Sequence, residues 1–247
     1  MRKSIIALAA ALALSTAGGT LLPPRAAAAA TSADPLVEGF MQVEAASVAD
    51  AMEQLYGQRN YMAHSMRPLA PTKFAGRAVT VLLKREEHKE GAKASQGMLD
   101  AIDTAGPGSV YVMVVENGED FAGIGGLMAT AMKVRGFAGA VIDGGVRDLP
   151  QIGKMQFPVF SRSFVPSTTI GHYRFAGSNI PVTCAGVKVA ANDIIVADVD
   201  GVAVVPAAQA EAVLKKAQDL DNAEHSMIPF IEKFRSIREA VAKFGRI

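Results

Sequence analysis

The chain has 247 residues, with 25 Lys and Arg against 24 Asp and Glu and a formal charge of +1 at pH 7. That near-neutral balance supplies no basic field for nucleic acid, and one cysteine, Cys184, excludes an internal disulfide framework. Half of the residues are hydrophobic, enough for a substantial core.

Met1-Arg2-Lys3 is a short basic start, Ile5 to Leu14 is an apolar run too short to span a bilayer, and Ala28-Ala29-Ala30 supplies small residues for cleavage. The pattern predicts a secretory signal peptide over residues 1–30, with export to a bacterial periplasm and no stable membrane anchor after cleavage. No lipoprotein cysteine lies near that junction, and Arg2-Lys3 is not a twin-arginine signal. Removing Arg2, Lys3 and Arg25 leaves 22 basic against 24 acidic residues in a 217-residue mature chain, a formal charge of −2. Residues 31–42 then read as a polar leader, and residues 43–247 as one α/β domain ending in a C-terminal helix.

Val43 to Tyr56 has the apolar spacing of an amphipathic helix, stopped by Gly57. Gly57 to Lys73 reads as a connection marked by Pro68 and Pro71, with His64 a loop residue. Ala78 to Leu83 is apolar almost throughout, as expected of a strand buried on both faces. The mixed charges of Lys84 to Glu90 follow; His88 has no second histidine at helical spacing, so a solvated loop is the simpler reading than a metal site. A helix is predicted over Ala92 to Thr104, ended by Gly106-Pro107-Gly108, and a buried strand over Ser109 to Glu116.

Asn117 to Asp120 forms a polar turn into Gly123-Ile124-Gly125-Gly126, after which Leu127 to Arg135 reads as helix and Ala138 to Ile142 as strand. Leu149 to Met155 is helix-like and leads into Phe157 to Ser161. Arg162 to Arg174 is rich in Ser, Thr and basic groups, a candidate second wall for a pocket, with His172 an acid–base candidate. Pro181 to Val189 and Asp193 to Val205 read as strands, the second folded at Asp200-Gly201. Cys184 lies in the first of these with no base beside it, which favours a buried, inert thiol. From Ala207 the pattern is helical, kinked or broken at Pro229. No internal repeat and no regular βαβ period is visible, so the expected fold is a single compact layered α/β domain with mixed, partly antiparallel sheets covered by helices.

The chemistry concentrates in Val141-Ile142-Asp143-Gly144-Gly145-Val146-Arg147-Asp148 and the glycine-rich turn upstream. An apolar strand runs into two glycines and then releases adjacent Arg and Asp side chains at a rim. Arg147 offers a planar fork of donors for a carboxylate or an enolate oxygen, and Asp148 a single carboxylate for a hard divalent cation that keeps most of its waters. Gly125, Gly126, Leu127 and Met128 open a helix whose first N–H groups favour an anion. The same turn also reads more simply as a helix start with glycines for tight packing. A dinucleotide fingerprint is excluded, because G-x-G-x-x-G would need glycine where Met128 stands.

Gly125 to Met128, Gly136 to Asp148, Ala185-Gly186-Val187 and Asp200-Gly201-Val202 together resemble the RraA-like family, which contains the regulator of ribonuclease activity A and the class II 4-hydroxy-4-methyl-2-oxoglutarate aldolases. The resemblance covers roughly Val43 to Gln218. It implies a layered α/β fold assembled as a homotrimer or hexamer with sites between subunits, and a divalent cation, usually Mg2+, held at Asp148 largely through water. It also implies pyruvate bound by Arg147 and the backbone of Gly125 to Met128, and a lyase that cleaves a small 2-oxo acid through a pyruvate enolate, with oxaloacetate decarboxylation as a side activity. The chain departs from the aldolase pattern at Gly126 and Gln151, where that pattern has acidic residues; Glu119, Asp120, Asp198 and Asp200 are candidate substitutes across a subunit interface. Those departures keep a second expectation open, a non-catalytic binding or regulatory oligomer.

Overall fold

The computed structural model describes residues 34–245; the expected signal peptide lies outside the described residues. The stretch read as a polar leader contains a helix, α1 (Pro35–Met41), whose N-cap Asp34 accepts the Leu36 N–H at 3.1 Å and whose Phe40 is fully buried. α2 (Ala45–Tyr56) follows and is closed by Gly57 in the left-handed region at φ 64°. Its Ala45 N–H is held by the buried carboxylate of Asp198 at 2.8 Å.

The middle of the chain alternates strand and helix: β1 (Arg67–Pro68), β2 (Phe74–Arg85), α3 (Gln96–Thr104), β3 (Val110–Val115), β4 (Ala122–Ile124), α4 (Gly126–Val134), β5 (Gly139–Val146), α5 (Leu149–Met155) and β6 (Val159–Phe164). β2, β3, β5 and β6 pair in parallel in that order, each reached through a helix. A regular βαβ run is therefore present although no such period is visible in the residues. The charged run before α3 and the short β4 inserted after β3 hide it.

The remainder supplies antiparallel partners. β7 (Tyr173–Ser178) pairs with β2; β10 (Ile194–Asp198) and β11 (Gly201–Val205) form a hairpin whose first strand also joins β2. Among the described residues nine strands share one sheet, with β1, β6, β5, β3, β2, β10 and β11 side by side. Pro181 to Val189 is not one strand but a hairpin of β8 (Val182–Cys184) and β9 (Val187–Val189), turned at Ala185 and Gly186, both with positive φ. The chain ends in α6 (Ala210–Phe234) and α7 (Ile237–Phe244).

Alternate residues of β3 sort the core into two layers. Tyr111, Met113 and Val115 face α3, α4 and α5 through Met98, Ile102, Met132 and Ile152, whereas Val110 and Val112 face the β8–β9 hairpin through Val182 and Cys184. A third apolar cluster seats α1, α2 and α6 on β10 and β11. α6 runs through Pro229 unbroken and ends at Arg235, which takes φ 53°. Pro229 lies on an exposed face, where water can satisfy the carbonyl that its missing N–H leaves without a partner.

Candidate active site

The site forms where two parallel strands end. β3 pairs with β5 up to Asp143, and after the turn at residues 116–121 the chain returns as β4 to pair with β5 again at Gly145 and Val146. β4 thus takes over the lane of β3 beside the same strand. Gly125 follows β4 and Arg147-Asp148 follow β5, so turn and pair meet outside the carboxyl ends of the parallel strands, the usual place for a ligand in such sheets.

Close approach explains both glycines. A β-carbon on Gly125 would lie 2.6 Å from Asp148 Oδ2 and 3.1 Å from Arg147 Cγ, and one on Gly126 would lie 2.3 Å from Gln151 Oε1. Asp148 takes the left-handed conformation, φ 61°, at the N-cap of α5, a geometry that Asp tolerates better than most residues. From there its Oδ2 accepts the Gly126 N–H at 2.9 Å. Of the first N–H groups of α4, one is therefore bound to Asp148, and those of Leu127 and Met128, residues that line the cavity, belong to the first helical turn, which leaves N–H groups without a helical partner.

Arg147 is fixed from two sides. Its Nη1 donates to the Ser167 carbonyl at 3.1 Å, and its Nε lies 3.8 Å from Asp148 Oδ2. Ser167 in turn donates to the Asp120 carbonyl at 2.7 Å and accepts the Ala122 N–H at 3.3 Å, tying the loop after β6 to the start of β4. Both charged side chains of the pair remain about half exposed, at 43% and 48%, so a ligand can reach them.

These groups edge a cavity of about 430 Å³. Gly125, Leu127, Met128, Arg147 and Asp148 line it; Gly126, read with them from the sequence, does not, and its N–H is bound to Asp148. The expected second wall is present as Thr168, Thr169 and Ile170. Sequence reasoning missed the third wall, Met98, Leu99 and Ile102 of α3, whose apolar spacing reads as core alone. His172 is outside the cavity, 2.7 Å from Glu87 and against the Phe121 ring. His88 meets the Tyr173 carbonyl at 3.0 Å.

The candidate substitute carboxylates lie elsewhere in this chain. Glu119 pairs with Arg162 at 3.0 Å, Asp198 holds Ala45, and neither Asp120 nor Asp200 lines the cavity. Among the described residues no group of three or more His, Cys, Asp or Glu is placed to hold a metal. A cation caged entirely by protein does not fit. A hard divalent cation that keeps several waters needs only one or two carboxylates besides its substrate, and Asp148, with Oδ1 left over from its bond to Gly126, fits that case.

A family model described as RraA-like, Aldolase/RraA, matches residues 45–204. The chain belongs to the RraA-like family. Within that family it is 37% identical over 124 residues to a protein of Halalkalibacterium halodurans named "Putative 4-hydroxy-4-methyl-2-oxoglutarate aldolase", covering 49% of this chain and 57% of that one. It is also 36% identical over 120 residues to an uncharacterised protein of Methanocaldococcus jannaschii, 48% of this chain and 52% of that one. The matches thus span little more than half the length of these relatives. Among solved structures, Streptomyces coelicolor RraAS2, described as an unusual member of the RNase ES inhibitor RraA family, superposes with a TM-score of 0.69 at 25% identity, over 77% of this chain and 94% of that one. An uncharacterised protein from Pseudomonas syringae superposes with a TM-score of 0.74 at 24% identity, over 83% and 96%. The RraA-like architecture accordingly extends beyond the matched strands to most of the described residues.

Proposed function

We propose that this RraA-like protein is a divalent-metal-dependent lyase that cleaves a small 2-oxo acid to give pyruvate, as a 4-hydroxy-4-methyl-2-oxoglutarate aldolase or an oxaloacetate decarboxylase does. The observation that supports this reading most is the convergence of Arg147, Asp148 and the α4 N-terminus on one cavity. Arg147 and the N–H groups of Leu127 and Met128 bind the substrate carboxylate. Asp148 holds the cation, with Mg2+ the expected ion, and when bound it supplies positive charge to the 2-oxo oxygen.

In the cleavage, the C3–C4 bond breaks and its electron pair stays on the pyruvate half as an enolate. The hydroxyl on C4 gives its proton to water and becomes a carbonyl, and C3 takes a proton back. Decarboxylation reaches the same enolate by losing CO2 instead. In this reading Arg147 favours charge that develops on the pyruvate half, and the Ser167 carbonyl, which accepts from its Nη1, holds the fork.

The experiment is pyruvate release from oxaloacetate and from 4-hydroxy-2-oxo acids by the purified protein, with magnesium and then with chelator. Chelator-sensitive release above a metal-only blank supports the lyase. A second reading, a non-catalytic binding or regulatory oligomer, is favoured by one observation: Gly126 and Gln151 bring no carboxylate to the site. Ligand binding without release selects that reading.

Self-association belongs to the proposal in either case. Leu127, at the cavity, and Val134, at the other end of α4, are 84% and 82% exposed, large apolar side chains of the kind that a trimer or hexamer covers. Light scattering on the purified protein tests the assembly. Export to the periplasm, supported by the basic and apolar start of the chain, is tested by cell fractionation and N-terminal sequencing.

A further inference from the structure

Aldol cleavage and decarboxylation differ by one proton. Oxaloacetate loses CO2 from a carboxylate that is already ionised, so no base is needed. Breaking C3–C4 of a 4-hydroxy-2-oxo acid turns the C4 hydroxyl into a carbonyl, and its proton must go to an acceptor.

Among the described residues, the ionisable side chains that line the cavity are Asp103, Arg147 and Asp148. Arg147 is a fixed cation, and Asp148 is engaged by the Gly126 N–H and by the cation proposed for it. Thr168 and Thr169 of the second wall bring hydroxyls, which can donate to the far carboxylate of a dicarboxylic substrate but do not hold an extra proton in neutral water. His172 is outside the cavity, paired with Glu87. Asp103 is left.

The helix sets its place. Met98, Leu99, Ile102 and Asp103 share one face of α3 through i, i+3 and i+4 spacings, so the apolar wall ends in a carboxylate. Arg135, the C-cap of α4, donates through Nη2 to the carbonyl of Ala105, the C-cap of α3, at 3.1 Å, so the two helices end side by side. Asp103 is one turn beyond Leu99 and Ala131 one turn beyond Leu127, a rise of about 6 Å in each helix, and all four line the cavity. No structural task accounts for the Asp103 carboxylate. Nothing among the described residues pairs with it, whereas Asp100, on the same helix, accepts from Gln96 at 3.5 Å. It lies in the last turn of α3, where the helix carbonyls disfavour negative charge, and it is exposed to water.

We propose that Asp103 is the general base of the aldol cleavage. This rests on the lyase reading and names the proton acceptor that it leaves open. A substrate carboxylate at Arg147 and the start of α4 puts C4 three bonds further on, toward the Ala131 end of the cavity. As C3–C4 breaks, its electron pair stays on C3 as the enolate, the C4 oxygen becomes a carbonyl, and the hydroxyl proton passes through one water to Asp103. Asp103 then returns that proton to solvent, while C3 takes one up.

The test compares pyruvate release from 4-hydroxy-4-methyl-2-oxoglutarate and from oxaloacetate, with magnesium, by the whole protein and by Asp103→Asn. Asparagine keeps the shape and cannot take the proton, so cleavage of the hydroxy acid should fall by roughly a hundredfold or more relative to decarboxylation. Asp103→Glu should recover part of the lost cleavage. Pyruvate, titrated calorimetrically, has no C4 hydroxyl and should bind Asp103→Asn no more weakly than the unaltered protein. Equal losses on the two acids, or no loss on either, overturn the proposal. Weakened pyruvate binding also overturns it, since Asp103 would then seat the substrate instead. An unaltered protein that decarboxylates oxaloacetate and leaves the hydroxy acid intact overturns it too, with the lyase reading standing. Release from neither acid removes the lyase reading and the role of Asp103 with it.

Discussion

A β-carbon on Gly126 would lie 2.3 Å from Gln151 Oε1, so the two departures from the aldolase pattern share one space. Gln151 fills the room that a side chain at 126 would need, and its Nε2 lies 3.3 Å from Thr130 Oγ1. Gln151 is exposed, so its side chain can rotate into solvent. Gly126→Asp should therefore change stability by no more than about 1 kcal/mol, because a carboxylate at a helix N-terminus gains roughly 0.3–1 kcal/mol against the lost contact. Magnesium affinity should rise about tenfold in calorimetry. A loss of several kcal/mol in urea denaturation would show that Gln151 is fixed.

Gly125 faces a harder limit. The added methyl of Gly125→Ala would meet Asp148 Oδ2 at 2.6 Å and Arg147 Cγ at 3.1 Å, and neither can move without leaving its partner. We expect kcat/KM for pyruvate release to fall at least tenfold, with the melting temperature lowered by only a few degrees. An unchanged kcat/KM would mean that the observed seating of the pair is not the working one.

Asp148→Asn separates charge from shape. Asn also tolerates the left-handed backbone and can still accept the Gly126 N–H, whereas Ala would add roughly 1–2 kcal/mol of strain there. The variant should keep its circular dichroism spectrum and lose magnesium binding, with turnover down about a hundredfold. Retained magnesium affinity would move the cation away from Asp148.

Much of this site was legible because its geometry is written in consecutive residues. β-branched residues ending in Gly144-Gly145 marked the strand, Leu149 to Met155 read as the helix that became α5, and the glycines before Leu127 marked the start of α4. Long-range placement was not legible. Met98 and Ile102 become cavity wall only because α3 crosses beside α4, and Ser167 matters only because β6 returns its loop to β4. The parallel run was hidden by β4, three residues that continue the lane of β3. Pro229 misled because a helix-breaking residue is tolerated where its face meets water.

Cys184 offers a check on the core rather than the site. It is fully buried, and burial, then the nearby Asp143 charge, pushes its thiol well above the ordinary range. Native protein at pH 8 should leave a thiol reagent unreacted, and denatured protein should consume one equivalent. Since folding raises this pKa, its contribution is present below the unfolded value of about 8.5 and is lost as pH climbs above it. Tyr111, raised by burial alone, acts in the same direction from about pH 10. The denaturation midpoint should thus fall between pH 8 and 10, and rapid labelling of native protein would contradict the buried placement.

The most direct test of the lyase is pyruvate release from oxaloacetate by the unaltered protein and by Arg147→Ala, each with magnesium and with chelator. Chelator-sensitive release is expected from the first and a loss of about a hundredfold or more in the second, with both proteins equally folded and assembled. Release that survives the loss of Arg147, or that chelator leaves untouched, would contradict it.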